Sequence, residues 1–228
     1  MSGAFIGGGS GGTASPLTTK GDVYGYDTGD ARIPVGADGL ALIADSAQAL
    51  GVKWGSVASS LSPKEYWFAA ESLQPLETNS GAIKKLAGSN VNVFVRAFND
   101  TTEQYANGKL QVPGDVDTAG TVTFRSYVSA AIAVASKNIG LTFGHLALND
   151  SEDWDPVTPY TEVDSGAIAI DATQDDVTEV TWTETISNLG WAANDLVLFR
   201  ISRDTGVALD LTGDMYMFSL AIEIPRSS

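Results

Sequence analysis

The chain has 228 residues, of which 43% are apolar, and carries a formal net charge of −15. It contains no cysteine, which excludes disulfide bonds, thiolate nucleophiles and cysteine-bound metals. The acidic excess argues against nucleic acid as a partner, because such binding depends on Lys and Arg side chains that neutralise phosphates. No apolar run reaches the ~18 residues of a membrane span, and residues 1–12 lack the basic and apolar stretches of a secretory signal, so we predict no membrane partner.

Residues 1–16 form a Gly- and Ser-rich arm whose large apolar side chains are Phe5 and Ile6. Such a composition gives a flexible coil in isolation, because ordering the backbone costs entropy that these small side chains do not offset. We predict that the arm anchors the protein by lying against another subunit, with Phe5 and Ile6 as its apolar contacts. The alternative is that it folds back on the body of its own chain.

Residues 17–62 are punctuated by glycine and aspartate at short intervals. The segment contains LTTKGD (Leu17 to Asp22), RIPVGADG (Arg32 to Gly39), LIADS (Leu42 to Ser46) and GVKW (Gly51 to Trp54). Each glycine permits a positive φ and a neighbouring Asp can close a turn, so the pattern predicts short extended pieces joined by turns. For residues 39–50 the sequence leaves two alternatives, this arrangement or a short helix, because apolar residues recur there every three or four positions.

The order LTTKGD, R-x-PVG-x-DG, L-x-ADS and GVKW resembles a segment of fibre and decoration proteins of tailed bacteriophages. The resemblance covers Leu17 to Trp54 and implies that residues 17–62 are an adaptor that docks on a virion. The residues of arm and adaptor that we predict for capsid docking are Phe5, Ile6, Leu17, Lys20, Asp22, Arg32, Pro34, Val35, Asp38 and Trp54.

Residues 63–228 carry short apolar runs separated by turn signals such as Asn107-Gly108. Alternation predicts that three sets of residues share the buried face of their strands: Val122, Phe124 and Val128; Ile139, Leu141 and Phe143; Tyr216, Phe218, Leu220, Ile222 and Ile224. Residues 195–203 are apolar on both faces for most of their length, which is typical of a central strand.

About eight such strands predict an all-β fold in which the extended arm and adaptor precede a jelly-roll β-sandwich. The run NDLVLFRISRD from Asn194 to Asp204, followed by an alternating last strand, also resembles the end of a jelly-roll domain in phage fibre and decoration proteins. Those proteins often have Gly-Asp before the penultimate strand, where this chain has Asn194-Asp195. The resemblance implies assembly as a homotrimer.

The sequence offers few groups for catalysis. His145 is the single histidine and shares a strand face with Leu141 and Phe143, which favours a buried structural role over a catalytic one. Without cysteine or a second histidine, a Ser-His or zinc-hydrolase site is hard to build. A glycan-cleaving enzyme would need two carboxylates across a cleft, and the acidic residues lie mostly in turns. We therefore predict no enzyme activity, no catalytic residues, no metal and no cofactor.

Residues 146–189 contain eleven acidic residues and no Lys or Arg. Oxygen-rich loops of this kind can hold calcium, but residues 149–155 lack the glycine hinge and distant Glu of an EF-hand loop, so solvated loops are the favoured interpretation. Trp154 and Tyr160 lie in the same stretch. They could form a sugar-stacking patch or cover one end of the core.

These features predict a structural protein on the capsid exterior of a tailed-phage virion, acting as a decoration (cement) protein or a short head fibre. Its predicted partners are two further copies of itself and the major capsid protein. The alternative is a tail-fibre or tail-tip module that binds a host surface glycan through Trp154 and Tyr160.

Overall fold

The computed structural model describes residues 19–26, 30–56, 61–75, 78–88, 90–133, 136–154, 160–171 and 173–227. The chain divides into two compact units, Met1–Ser59 and Ser60–Ser228, called here unit 1 and unit 2. The first strand of unit 2 begins at Leu61. The predicted division into an arm, an adaptor and a jelly roll, with boundaries after residues 16 and 62, stays a prediction.

Unit 1 consists, within its described residues, of two antiparallel hairpins. In one hairpin β1 (Val23–Tyr26) pairs with β2 (Asp30–Ile33), and in the other β3 (Leu40–Ala44) pairs with β4 (Val52–Ser56). Gly51, with a φ of +69°, donates its N–H to the Gln48 carbonyl at 2.8 Å and so helps to close the second hairpin. Residues 39–50 therefore form a strand and a turn, which settles the alternative that the sequence left open.

Unit 2 is built from two antiparallel sheets. Its strands are β5 (Leu61–Ala69), β6 (Gln74–Pro75), β7 (Ala82–Ala87), β8 (Asn92–Phe98), β9 (Tyr105–Gln111), β10 (Thr121–Ala130), β11 (Asn138–Leu148), β12 (Thr161–Asp164), β13 (Ile168–Ala169), β14 (Thr178–Thr185), β15 (Leu196–Asp204) and β16 (Met215–Arg226). The first sheet has the order β14-β10-β16-β8-β7, with β5 also paired to β16. The second has the order β12-β11-β15-β9-β6, with β13 also paired to β11.

Successive long strands alternate between the two sheets. β8, β10, β14 and β16 lie in the first sheet, and β9, β11 and β15 lie in the second. Each connection therefore crosses from one sheet to the other, which is the arrangement of a jelly-roll β-sandwich. The predicted all-β jelly roll is confirmed, although the described residues of unit 2 form twelve strands where the sequence suggested about eight.

The helical elements are a 3-10 turn at Ala70–Ser72 and the single-turn helix α1 (Ile186–Leu189). The Thr185 hydroxyl caps α1 by accepting a bond from the Asn188 N–H at 3.2 Å, and Gly190 ends it in the left-handed region with a φ of +64°. Among the residues that the structure describes, no helix is long and apolar enough to cross a membrane.

The core between the sheets is centred on aromatic rings. Phe124 of the first sheet lies 4.6 Å from Phe143 of the second, and Phe143 lies 5.3 Å from Phe199, measured between ring centroids. Trp182 stacks on Phe124 at 5.2 Å. The predicted buried positions of β10 and of the first half of β11 are all in this core: Val122, Phe124, Val128, Ile139, Leu141 and Phe143. As predicted, β15 is a central strand, between β11 and β9.

The last strand corrects the alternation prediction. Leu220, Ile222 and Ile224 face the core as expected, but Met215 and Met217 accompany them, and Tyr216 and Phe218 face the outside of the first sheet. The reason is a β-bulge: Tyr127 of β10 pairs with Ser219, whereas the next residue, Val128, pairs with Met217. One extra residue in a strand moves every residue before it to the opposite face.

Two fully buried arginines hold loops of unit 2 in place. Arg96 donates to the carbonyls of Gly81 (2.8 Å), Ala70 (3.3 Å) and Leu73. Arg203 donates to the Gly213 carbonyl (2.7 Å), to the Leu211 carbonyl and to the Asp210 carboxylate (2.8 Å). Because buried guanidinium groups need partners for their donors, these arginines connect strands to the loops around them.

Candidate functional site

The predicted docking residues of unit 1 separate into two groups. Phe5, Ile6 and Leu17 lie outside the described residues. Among the others, Asp22, Arg32 and Trp54 make contacts within unit 1, as does the carbonyl group of Pro34, while the side chains of Lys20, Val35 and Asp38 are turned to solvent. Val35, with 48% of its surface exposed, is the large apolar residue of this second group.

Asp22 organises the start of unit 1. Its carboxylate is fully buried and accepts hydrogen bonds from the N–H groups of Thr19 (2.8 Å) and Val35 (3.0 Å). It also lies 2.8 Å from the Nε atom of Arg32. A single carboxylate thereby joins the segment before β1 to the segment after β2, and charge-assisted bonds of this kind are stronger than neutral ones.

Trp54 joins the second hairpin to the same region. Its indole N–H donates to the Pro34 carbonyl at 2.5 Å, and its ring covers Gly36 so closely that a Cβ atom there would lie 2.6 Å from ring carbons. Gly36 is therefore required for the ring to lie flat on the backbone. The Pro34-Val35-Gly36 part of the sequence pattern is therefore in direct contact with Trp54, the last residue of the pattern.

The second hairpin is closed by another aspartate of the pattern. The Asp45 carboxylate accepts from the Ala47 N–H at 3.0 Å and pairs with the Lys53 ammonium at 2.9 Å. The hydrogen bond from Lys53, followed by the one from Ala47, lowers the pKa of Asp45. Asp22, Arg32, Asp45 and Trp54 of the spaced sequence pattern therefore help to hold this small unit together.

In unit 2, Tyr160 belongs to a polar surface on the outer side of the second sheet. The Arg200 guanidinium carbon lies 4.4 Å from the ring centroid of Tyr105 and 4.8 Å from that of Tyr160, so the guanidinium lies against both rings. Arg200 also pairs with Glu162 at 2.6 Å. Gly144 permits this packing, because a Cβ atom there would lie 2.9 Å from Arg200 Nε. We call Tyr105, Tyr160, Glu162 and Arg200 the Arg200 face.

A cavity of about 230 Å³ adjoins the Arg200 face. Its lining residues are polar or charged: Glu103, Thr142, Glu162, Asp164, Arg203, Asp204 and Thr205. The Thr142 hydroxyl donates to Asp164 at 2.6 Å, and the Ser202 hydroxyl donates to Glu103 at 3.3 Å. Burial and a hydrogen bond with Glu103 raise the pKa of Tyr105 to about 12, so its phenol remains a hydrogen-bond donor at neutral pH.

This arrangement can bind a neutral, hydroxyl-rich ligand. Carboxylates accept bonds from ligand hydroxyl groups, guanidinium groups donate to ligand oxygens, and tyrosine rings offer apolar faces to sugar rings. The four carboxylates of the cavity outnumber the two nearby arginines, both of which already have acidic partners. A negatively charged ligand would therefore be repelled.

Trp154 has a different position from Tyr160. It lies in the loop after β11 with 73% of its surface exposed, and the described residues show no ring contact between the two. In the same loop, Asn149 donates its backbone and side-chain N–H groups to the Glu152 carboxylate at 2.9 and 3.0 Å. Within the described part of the chain no three His, Asp or Glu side chains are grouped so that they could hold a metal ion.

His145 is a core residue, as its strand face predicted. It is 3% exposed, and its Nδ1 atom accepts a bond from the Trp191 indole N–H at 3.2 Å. Burial lowers the pKa of His145 to about 4, so the imidazole is neutral at neutral pH. It lies inside the sandwich, away from the solvent-facing surface that a substrate would reach.

Sequence analysis found Tyr160 but missed Tyr105, Glu162 and Arg200. These residues come from three separate strands, β9, β12 and β15. The pairings of β9 with β15, of β15 with β11 and of β11 with β12 place them side by side. The sequence does contain a signal: Arg200 directly follows the apolar residues 196–199, and Gly144 lies within the strand that contains Leu141 and Phe143. Such residues indicate an outward-facing charge and a close approach to the backbone.

No protein-family model and no curated protein matches the sequence. Several solved structures resemble the fold. A family 35 carbohydrate-binding module from Clostridium thermocellum is 9% identical, with a TM-score of 0.41, and the match covers 70% of this chain and 97% of that one. A xylan-binding module of family 15 is 13% identical, with a TM-score of 0.37, over 73% of this chain and 99% of that one.

An exo-β-1,3-galactanase from Phanerochaete chrysosporium is 12% identical, with a TM-score of 0.37, over 75% of this chain and 30% of that one. Identities this low bear on the fold alone, and we infer no ligand from them.

Proposed function

We propose that this protein is a non-catalytic structural protein of a tailed-phage virion. In this proposal unit 1, which includes the arm of residues 1–16, attaches to the major capsid protein on the capsid exterior. The jelly roll of unit 2 is displayed as a homotrimer and acts as a decoration protein or short head fibre. The observation that carries the proposal is the agreement between the phage-like pattern and the contacts of unit 1. Asp22, Arg32, Gly36, Asp45 and Trp54 stand at pattern positions and build the unit.

This agreement refines the docking hypothesis. Asp22, Arg32 and Trp54 are used within unit 1, so their contribution to docking is to shape the unit. The surface of unit 1 that remains available to a capsid protein includes Lys20, Val35 and Asp38. Attachment through this surface would bury Val35 across neighbouring capsid subunits and add binding free energy to the shell.

The test is rebinding to capsids that lack both tails and this protein. Full-length protein, a version without residues 1–59, and the full-length variants Val35→Asp and Leu209→Asp are each mixed with capsids and sedimented. Leu209 is an exposed apolar residue of unit 2 and serves as the matched control. We expect binding by the full-length protein and by Leu209→Asp, at least tenfold weaker binding by Val35→Asp, and none by the truncated version. Equal binding with and without residues 1–59 would contradict the proposal.

The cementing role has its own test. Capsids with and without the bound protein are heated, and DNA release is followed by a dye that fluoresces on DNA. We expect release at a higher temperature when the protein is bound. Identical release temperatures would exclude stabilisation of the shell. The remaining function would be the display of unit 2 on the capsid surface.

A second candidate is a tail-fibre or tail-tip module that binds a host surface glycan. The Arg200 face favours it, because Tyr160 lies there beside Arg200, Glu162 and a polar cavity. Calorimetric titration with neutral and with sialylated oligosaccharides tests this idea. We expect binding of the neutral ones alone, weakened up to about tenfold by Tyr160→Ala and unchanged by Trp67→Ala on the other sheet. An equal loss of affinity in Tyr160→Ala and Trp67→Ala would contradict this candidate function. Failure to bind either class of oligosaccharide would also contradict it.

A further inference from the structure

A second pocket adjoins the Arg200 face at the edge of the second sheet. It has a volume of about 500 Å³ and opens where β6 ends, because β6 is two residues long and pairs with β9 at Ala106 and Asn107. The apolar side chains of its lining are Phe68, Leu73 and Leu198, and the longer polar ones are Gln74, Asn107 and Lys109. We call these six residues the amide pocket.

Strand register places the amide pocket in line with the Arg200 face. One row of directly paired residues crosses five strands: Glu162, Gly144, Arg200, Asn107 and Gln74. Residues that are directly opposite on neighbouring strands lie on the same face of a sheet. The three strand spacings between Glu162 and Asn107 span about 14 Å. A ligand that contacts both ends of this row is therefore longer than a single sugar ring.

The polar side chains of the amide pocket have hydrogen-bonding capacity to spare. Within the part of the chain that the structure describes, the Asn107 side chain has no hydrogen-bond partner. Gln74 makes one long bond there, from its amide N–H to the Ser72 carbonyl at 3.4 Å. No described carboxylate lies within ion-pair distance of Lys109. Because a side-chain amide both donates and accepts, the pocket suits a ligand group that does the same.

The amide pocket differs in charge from the polar cavity beside Glu162. That cavity is lined by four carboxylates, whereas the lining of the amide pocket includes none. Carboxylates accept hydrogen bonds from ligand hydroxyl groups. The amide pocket instead combines amides and an ammonium group with the apolar surfaces of Phe68 and Leu198. Its chemistry is complementary to a neutral group that contains both an amide and a methyl group.

We propose that the amide pocket binds the acetamido group of an N-acetylated sugar, within a neutral oligosaccharide that lies across the Arg200 face. In this arrangement Lys109 donates to the acetamido carbonyl, and the Asn107 side-chain oxygen accepts from the acetamido N–H. The methyl group packs against Phe68 and Leu198. The inference rests on the glycan-binding candidate function and deepens it by naming the class of sugar.

Calorimetric titration of the full-length protein with chitotetraose and with cellotetraose tests this preference. The two tetramers have the same length and linkage, but an acetamido group replaces one hydroxyl group on each ring of chitotetraose. We expect chitotetraose to bind about tenfold more tightly, from one added hydrogen bond and one buried methyl group. Equal affinities would overturn the inference and leave the glycan-binding candidate standing, whereas failure to bind either tetramer would overturn both.

Variants test whether the preference arises in the amide pocket. Asn107→Ala should reduce it to about twofold, because the acetamido N–H loses its acceptor. The matched control is Asn92→Ala, which changes an exposed asparagine of β8 in the first sheet and should keep the full preference. Tyr160→Ala should weaken the binding of both tetramers by the same factor, because Tyr160 belongs to the Arg200 face. A full preference in Asn107→Ala would overturn the assignment to this pocket.

Gln74→Ala decides the question if Asn107→Ala fails to fold. Gln74 is exposed, so its side chain contributes little to the stability of unit 2. We expect a reduced preference for chitotetraose in this variant. An unchanged preference would contradict the role of the amide pocket.

Discussion

The buried pair of His145 and Trp191 makes unit 2 sensitive to mild acid. The Trp191 indole donates its N–H to His145 Nδ1, so the imidazole hydrogen is on Nε2, which has no hydrogen-bond partner among the described residues. Protonation would place a charge in the core and a second hydrogen against the Trp191 N–H. Burial accordingly lowers the pKa of His145 from 6.5 to about 4.

The two pKa values of His145 determine how the stability of unit 2 changes with pH. The unfolded chain binds a proton on His145 below pH 6.5, whereas the folded chain does not bind it until about pH 4. The stabilising effect of the neutral histidine is therefore complete above pH 6.5, falls as the pH is lowered toward 4, and levels off below that. With about 1.4 kcal/mol for each pH unit of difference, the loss is about 3 kcal/mol at pH 4 and at most about 3.5 kcal/mol below it.

The assay is guanidinium-induced unfolding of the full-length protein and of His145→Gln between pH 7.5 and pH 4. The substitution lowers the free energy of unfolding at pH 7.5 by removing packing, but the glutamine does not titrate. The acidic residues contribute equally to both proteins, so the difference between the two isolates the histidine. We expect that difference to shrink by about 3 kcal/mol from pH 7.5 to pH 4. A difference that stays constant across this range would refute the reasoning.

Three other predictions concern single side chains. Arg96→Met should lower the free energy of unfolding of unit 2 by about 3 kcal/mol, because it leaves buried carbonyls without donors. The control, Arg125→Met on the surface, should lower it by less than about 1 kcal/mol. Equal losses of unfolding free energy in chemical denaturation would contradict this prediction. Asp22→Ala should expose the amides of residues 30–56 to hydrogen exchange and leave the unfolding of unit 2 unchanged; unaltered protection would show that its contacts are dispensable. Gly108→Ala should lower the stability of unit 2 by about 1–3 kcal/mol, because the new methyl group overlaps the Phe199 ring, and a wild-type melting temperature would show that the ring can move aside.

The sequence alone could predict the sandwich because its signals are local. Val122 and Phe124, two residues apart, point to the same face of β10 whatever the strand pairs with, and both are fully buried. The same argument put His145 in the core. It failed at β16 because a bulge depends on the partner strand: the extra residue, Phe218, has no counterpart on β10 between Tyr127 and Val128.

Asn107-Gly108 shows a second limit of local signals. The pair predicts a turn, yet both residues lie within β9, between β6 and β15. Gly108 is needed there because the Phe199 ring occupies the space of its missing side chain. A glycine that makes room for a neighbour and a glycine that makes a turn look alike in a sequence.

The sequence by itself determined the apolar faces of most strands, the absence of cysteine chemistry and the spaced pattern of unit 1, because these depend on composition and on near neighbours along the chain. Tertiary structure decided which residues meet. It placed Tyr105, Arg200 and Tyr160 against one another across three segments of the second sheet, and it left Phe94 uncovered near the turn of its hairpin. Strand register and sheet order fix such contacts, and both arise from pairings between residues that are far apart in the chain.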